Sequence, residues 1–200
     1  MASDFISEQP AREASGPKPS KKLYSIPALL RDRAFAGKFE TSTAACEFIY
    51  APKSARLVNG KLELTGSLNL SSARGGKREV KDVRATLTAS QGGLGAVPGA
   101  IMARALPNAV AGLPVTEATA AHGFVGVMYF RLSPINNKSL GVIPDFGKVQ
   151  LNARMAPVNG TERELQIVYS DLVIAAYGER SDAGNAAAQV ELLNRLLGQS

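Results

Sequence analysis

The strongest constraint on the fold is a stretch after an Asn-Gly pair in which apolar and polar side chains alternate. Leucine occupies positions 62, 64, 68 and 70, Gly66 lies between them, and polar residues fill the other positions. A period of two places alternate side chains on opposite faces of an extended strand. Asn59-Gly60 accepts the positive φ angles of a type I′ turn, which joins antiparallel strands. The sequence therefore predicts a hairpin with one face in the core and one in water.

The same alternation recurs elsewhere and predicts a mainly β protein. It spans residues 83–89 and 149–155, and it places Cys46, Phe48 and Tyr50 on one face of a strand that Pro52 is expected to end. Residues 124–132 are almost continuously apolar, which is typical of a central strand covered on both faces.

A second Val-Asn-Gly, at 158–160, predicts another hairpin that leads into strands over 165–169 and 172–177. It lies 100 positions after the first, but the flanking residues differ, so we interpret the spacing as coincidence rather than duplication. Glu162 and Glu164 are expected to share the solvated face of the first of these strands, with Arg163 between them.

The last part of the chain changes from a period of two to a helical period. Within 179–200, Ala186, Val190, Leu193 and Leu197 follow 3.6-residue spacing, and Ser181-Asp182 and Asn185 are potential caps. We therefore predict an antiparallel β-sandwich or a partly open β-barrel over residues 37–178, followed by a C-terminal helix. The alternative is an α+β domain in which residues 99–112 and 183–197 pack on one sheet face.

Two segments precede the predicted β domain, and one long loop interrupts it. Residues 1–22 are basic and poor in large apolar side chains, which predicts a disordered leader. Residues 23–36 predict a short docking segment, in which Pro27 begins a helical turn that carries Leu29, Leu30 and Phe35. Residues 91–115 are rich in Gly, Pro and Ala and are the candidate binding loop.

The residue inventory excludes several kinds of chemistry. One Cys and one His among 200 residues cannot form a Cys/His zinc site or an internal disulfide. Residues 93–99 imitate a phosphate-binding loop, but no βαβ pattern follows and Pro98 removes an amide donor. His122 has no nucleophile motif beside it, and Cys46 is expected to be a small buried side chain. The sequence therefore predicts no cofactor, no metal site and no catalytic group, although an enzyme using His122 is kept as a third hypothesis.

The positive charge is concentrated in the first half of the chain. The formal net charge is +6, and residues 53–84 alone contribute +5. This stretch has no aromatic residues on which bases could stack, so a nucleic acid partner is not expected. Contact with a peripheral anionic surface fits the charge. The lone Cys46 and the absence of a signal-peptide pattern predict a cytoplasmic protein, and the three prolines within 95–115 argue against a transmembrane segment.

Two functional hypotheses follow. The first is a non-catalytic structural or protein-interaction subunit of a larger assembly, with a protein partner or a second copy of the chain. Its candidate docking residues are Leu29, Leu30, Phe35, Leu193 and Leu197. The alternative is a β-barrel carrier for a small apolar ligand that enters beneath the 91–115 loop. Its candidate ligand residues are Leu94, Val97, Ile101 and Met102.

Overall fold

Seven strands and two helices follow one another in the computed structural model, which describes residues 24–40, 45–73, 76–91, 124–135, 149–177 and 181–198. The strands are β1 (Tyr24–Arg31), β2 (Ala34–Glu40), β3 (Ala45–Val58), β4 (Lys61–Ser72), β5 (Lys77–Gln91), β6 (Val127–Leu132) and β7 (Val149–Arg154). The helices are α1 (Gly160–Tyr177) and α2 (Ala183–Leu197). The prediction of a mainly β barrel with a C-terminal helix is confirmed.

The strands form a closed barrel in chain order. Each strand is antiparallel to the next, and the barrel closes where β1 pairs with β7 in parallel. The structure therefore adds two features to the predicted fold: full closure and one parallel pair. Closure matters because it pairs the β1 edge that an open sheet would expose.

Residues paired directly across the strands trace a staggered path around the barrel. The path runs through Gln91, Val127, Arg154, Leu29, Ala36, Ile49, Asn69 and Glu79. It leaves β5 at Gln91 and returns to the same strand at Glu79, twelve positions earlier. This stagger means that the strands are strongly tilted to the barrel axis. We call these eight residues the outer ring, because directly paired residues share one face of the sheet and this face points away from the core.

The opposite face fills the barrel with large side chains. Phe35, Phe48, Tyr50, Met128 and Phe130 are each no more than 1% exposed. The rings of Phe35 on β2 and Phe130 on β6 lie 5.9 Å apart, although β7 and β1 separate their strands around the barrel. Side chains from non-adjacent strands can meet in this way only inside the barrel. The described interior is thus a filled hydrophobic core.

The first Asn-Gly pair forms the predicted turn. Asn59 and Gly60 both have positive φ angles, 51° and 72°, as a type I′ turn requires. The expectation that Pro52 ends its strand is wrong, because β3 continues to Val58 through a shift in register after Pro52. Gly66 lies opposite this shift, and a Cβ there would approach Ala51 O to 2.1 Å. Glycine therefore allows β3 and β4 to bend together at this point.

The predicted strands over 165–177 are instead helix α1, and Asn159-Gly160 forms no hairpin. Asn159 Oδ1 accepts a hydrogen bond from Glu162 N–H at 2.8 Å, which is the geometry of a helix N-cap. Most residues between Leu165 and Ala175 are buried. A helix buried on nearly all sides has no single apolar stripe. Its apolar side chains therefore also fit an alternating pattern. This ambiguity is the reason why the sequence predicts strands over 165–169 and 172–177 where the structure has a helix.

Two further sequence expectations need correction. Residues 24–40 form β1 and β2 rather than a helical turn, since Ile26, Ala28 and Leu30 alternate into the core and the backbone of β1 bonds to strands on both sides. Strand β6 is covered on one face rather than two, because its burial alternates and Arg131 is exposed. The barrel thus begins at β1, before the predicted start at residue 37.

Helix α2 has the predicted position and cap. Asp182 Oδ1 accepts a hydrogen bond from Asn185 N–H at 3.0 Å, and Leu193 and Leu197 are buried. The side chain of Asn194 imitates a peptide group: it accepts from Ala55 N–H at 2.6 Å and donates to Ala55 O at 3.0 Å. Ala55 lies in the part of β3 that extends beyond its pairing with β2. Asn194 therefore satisfies backbone groups on a strand edge that would otherwise have no sheet partner.

Replacing Asn194 by Ala should lower the free energy of unfolding by about 1–3 kcal/mol, because two backbone groups of Ala55 lose their partner. Urea denaturation measures the effect. Asn185→Ala is the matched control on the same helix, since the Asn185 side chain bonds only to Gln189 on the exposed surface. Equal stability of the two variants would contradict this role of Asn194.

Candidate interaction surface on the outer ring

The structure separates the predicted docking residues into buried and exposed positions. Leu30, Phe35, Leu193 and Leu197 contact the chain's own core. Leu29 is 37% exposed and belongs to the outer ring. Among the five candidates, Leu29 is the residue that is placed to touch a partner without unfolding of the barrel.

The candidate ligand residues Leu94, Val97, Ile101 and Met102 lie outside the described residues, as does His122. Their predicted roles therefore stay predictions. Large side chains fill the described part of the barrel axis. If the chain carries a ligand, the cavities at the barrel surface are therefore the places that could hold it.

An apolar strip crosses three strands on the outer ring. Leu29, Ala36 and Ile49 are direct partners on β1, β2 and β3, and Ile49 is 46% exposed. Since neighbouring strands lie about 4.8 Å apart, the strip is about 10 Å across. Sequence analysis missed Ile49 because alternation marks it only as the residue that faces away from Phe48 and Tyr50.

A groove with a volume of about 1420 Å³ contains this strip. Val127 and Tyr129 of β6 add partly buried apolar surface to its wall. Exposed apolar surface with a polar rim is typical of a binding site. The volume exceeds the 300–1,000 Å³ usual for small-molecule pockets, which favours a macromolecular occupant.

The groove has an excess of positive charge. Its wall includes five basic residues and two acidic ones: Arg31, Lys38, Lys77, Arg78, Arg154, Glu47 and Glu79. Lys38 and Glu47 form an exposed ion pair at 3.0 Å. Within the described parts of the chain, no ion pair involves Lys77, Arg78 or Arg154. Three cations therefore remain to attract an anionic partner, with Glu79 as the opposing charge.

Glu162 fixes the edge of the groove near the β1–β2 turn. Its carboxylate is 1% exposed and accepts hydrogen bonds from Asp32 N–H at 2.9 Å and Val158 N–H at 2.8 Å. Arg31 Nη1 lies 3.5 Å from the same carboxylate and donates to Ala156 O at 3.1 Å. Glu162 therefore joins the start of α1 to the turn that follows β1 and holds Arg31 at the groove wall.

The prediction that Glu162 is a solvated strand residue is wrong. The signal that could have identified its role is the spacing Asn159-x-x-Glu162, which resembles a capping box at a helix start. Asn159-Gly160 also fits a hairpin turn, and the hairpin interpretation hides the capping pattern.

A second cavity, of about 790 Å³, lies where β1 to β4 meet at one end of the barrel. Ile26, Phe39 and Cys46 are part of its wall. Burial raises the pKa of the Cys46 thiol, which keeps it protonated and makes it a poor nucleophile. The expectation that Cys46 is a small buried side chain is confirmed.

Neither a metal site nor a membrane-spanning helix is found among the described residues. No cluster of His, Cys, Asp and Glu with metal-binding geometry occurs among the described residues. In the same residues, neither helix combines the length and hydropathy needed to cross a bilayer. No protein-family model, curated protein or solved structure matches the chain.

Proposed function

We propose that this chain is a non-catalytic protein-interaction subunit that binds a partner protein through the outer ring and its groove. The observation that carries the proposal is the apolar strip of exposed Leu29 and Ile49 with half-buried Ala36 between them, on the outside of a barrel whose described interior is filled. Burial of this strip against a partner would remove exposed apolar surface from water. The buried thiol of Cys46 fits a reducing compartment, and we place the assembly in the cytoplasm.

Ile49→Arg should abolish the assembly while the barrel stays folded. The new charge would replace the most exposed side chain of the apolar strip, at its β3 end, and a desolvated and unpaired cation there is strongly unfavourable. The measurement is native mass spectrometry of the chain purified from its source organism, with wild type expected to co-purify with a partner at a fixed stoichiometry. Thermal unfolding followed by circular dichroism checks that the variant is folded.

Val58→Arg is the matched control for this experiment. Val58 is an exposed apolar residue of β3, and its exposed fraction of 36% is close to the 37% of Leu29 in the strip. It lies at the β3–β4 turn and is not part of the groove. The control should keep the partner. Wild type that emerges alone, or a partner that survives Ile49→Arg, would refute the proposal.

The second candidate function is carriage of a small apolar ligand, and the observation that favours it is the barrel-end cavity. Its volume lies within the usual range for small ligands. A fluorescent fatty-acid analogue that binds wild type but not a Cys46→Phe variant, whose larger side chain would fill the cavity, would support this function. Binding that Cys46→Phe leaves unaffected would exclude this cavity as the site.

A further inference from the structure

We propose that the segment docked on the outer ring is an acidic amphipathic helix of the partner protein. This inference rests on the proposed function and specifies the partner's chemistry. It draws on the pairing of the strands, the spacing of the apolar strip and the positions of the free cations.

The pairing of the strands disfavours an added β-strand. At the level of the outer ring every strand already pairs with a neighbour on both sides, since the barrel is closed. A partner strand would find no backbone groups to bond there, whereas a helix satisfies its own backbone and binds through side chains. The groove also runs across the strands rather than along one of them, so its occupant meets side chains from successive strands.

The spacing of the strip fits one face of a helix. Leu29, Ala36 and Ile49 follow one another at strand-to-strand steps of about 4.8 Å. Residues three or four apart on a helix have Cβ atoms about 5–6 Å apart. Successive turns of an amphipathic helix therefore lie close to the successive apolar positions of the strip.

The charges that flank the strip indicate that the partner helix is acidic. Arg154 pairs directly with Leu29 at one end of the strip. At the other end, beyond Asn69, Lys77 and Glu79 lie on the face of the strip, whereas Arg78 pairs with buried Leu70 and lies on the opposite face. The unpaired charges on the face of the strip are therefore Lys77 and Arg154 against Glu79, so acidic residues on both flanks of the bound helix's apolar face would be attracted.

The test uses a synthetic helical peptide of about 16 residues, a length that spans about 24 Å. The peptide has Leu at helical spacing on one face and Glu elsewhere, and its comparator has Lys in place of Glu. Fluorescence anisotropy with the full chain should detect the acidic peptide only. The double variant Lys77→Gln/Arg154→Gln should weaken binding about tenfold. Lys53→Gln/Lys61→Gln is the control, because both lysines are exposed and lie outside the groove.

The other occupants are outcomes that overturn the inference. Equal binding of the Lys peptide, no binding of the acidic peptide below about 1 mM, or an unchanged affinity in the double variant would refute the acidic helix. Preference for phosphatidylglycerol vesicles would assign the groove to a lipid surface. A dimer of the chain alone that Ile49→Arg dissociates would assign it to a second copy.

Failure of this inference is distinguishable from failure of the proposed function. If Ile49→Arg abolishes the native assembly but Lys77→Gln/Arg154→Gln leaves it intact, the interaction surface stands and the acidic partner is wrong. If Ile49→Arg leaves the native assembly intact, the surface itself is wrong.

Discussion

Glu162→Ala should lower the free energy of unfolding by about 3 kcal/mol. The substitution removes an acceptor from the backbone N–H groups of Asp32 and Val158, and leaving buried donors unsatisfied costs about 1–3 kcal/mol each. It also removes the anionic partner of Arg31. Urea denaturation followed by circular dichroism measures the change. If the Ala variant does not fold, Glu162→Gln should show a smaller loss, because an amide offers one acceptor oxygen instead of two.

Glu164→Ala is the control, since it changes the same residue type two positions later at a partly exposed site. Its effect should stay within about 0.5 kcal/mol of wild type. Stabilities of the Glu162 and Glu164 variants that agree within this margin would show that the carboxylate of Glu162 does not hold the β1–β2 turn to α1.

As the pH rises well above 10, the free energy of unfolding should fall with a slope that approaches about 2.7 kcal/mol per pH unit from Tyr50 and Tyr169, and Tyr177, whose pKa burial also raises, adds to it. Burial raises the pKa of Tyr50, and the charge of Glu63 adds to the effect. Burial also raises the pKa of Tyr169, with a smaller contribution from Tyr50. The unfolded phenols titrate near 10. At Tyr50 and Tyr169 the native state therefore keeps two protons that the unfolded state loses, at about 1.36 kcal/mol per group and pH unit.

The sign follows from the direction of the pKa shifts. A pKa that is raised in the folded state gives stability that is fully present below the unfolded value and is lost as the pH rises towards the folded value. Urea denaturation between about pH 9 and pH 11 measures the slope. The part of the phenolate absorbance that is lost in Tyr169→Phe should rise together with unfolding rather than before it.

Tyr169→Phe provides the matched variant for this titration. The slope well above pH 10 should become shallower by about 1.4 kcal/mol per pH unit, since one buried phenol is gone while Tyr50 and Tyr177 remain. The Tyr169 hydroxyl is buried and, in the described structure, has no hydrogen-bond partner. Its removal should therefore leave stability near pH 7 unchanged or raise it. A slope that is the same in wild type and Tyr169→Phe would show that other groups cause the alkaline loss.

The local turn chemistry shows where sequence reasoning succeeds and where it fails. Asn59-Gly60 forms the predicted turn because strands that can pair lie on both sides of it. Asn159-Gly160 has the same residues but begins a helix. Asn159 caps this helix by accepting a hydrogen bond from Glu162 N–H, and the helix packs on α2 and places Tyr169 against Phe35 of the barrel core. A dipeptide fixes which φ angles are accessible, but the surrounding elements decide which of them is used.

The candidate surface could be predicted only in part. Alternation identifies Leu29 and Ile49 as outward-facing once their strands are known, but the sequence of residues 23–36 predicts a helical turn in place of a strand. The neighbours Leu29, Ala36 and Ile49 come from three strands, and Arg154 joins them from β7 through the parallel closure. Register between strands depends on turns, bulges and closure together, so a single strand's pattern does not contain it.

The sequence by itself determined the mainly β character, the inward leucines of β4 and the capped helix α2. These features depend on local periodicity and on turn and cap residues, which act over a few positions. Only the tertiary structure decided the closure of β1 on β7, the helical state of residues 160–177, the burial of Glu162 and the assembly of the outer ring. Each of these depends on contacts between distant segments, whose free energies exceed the small local preferences of the chain.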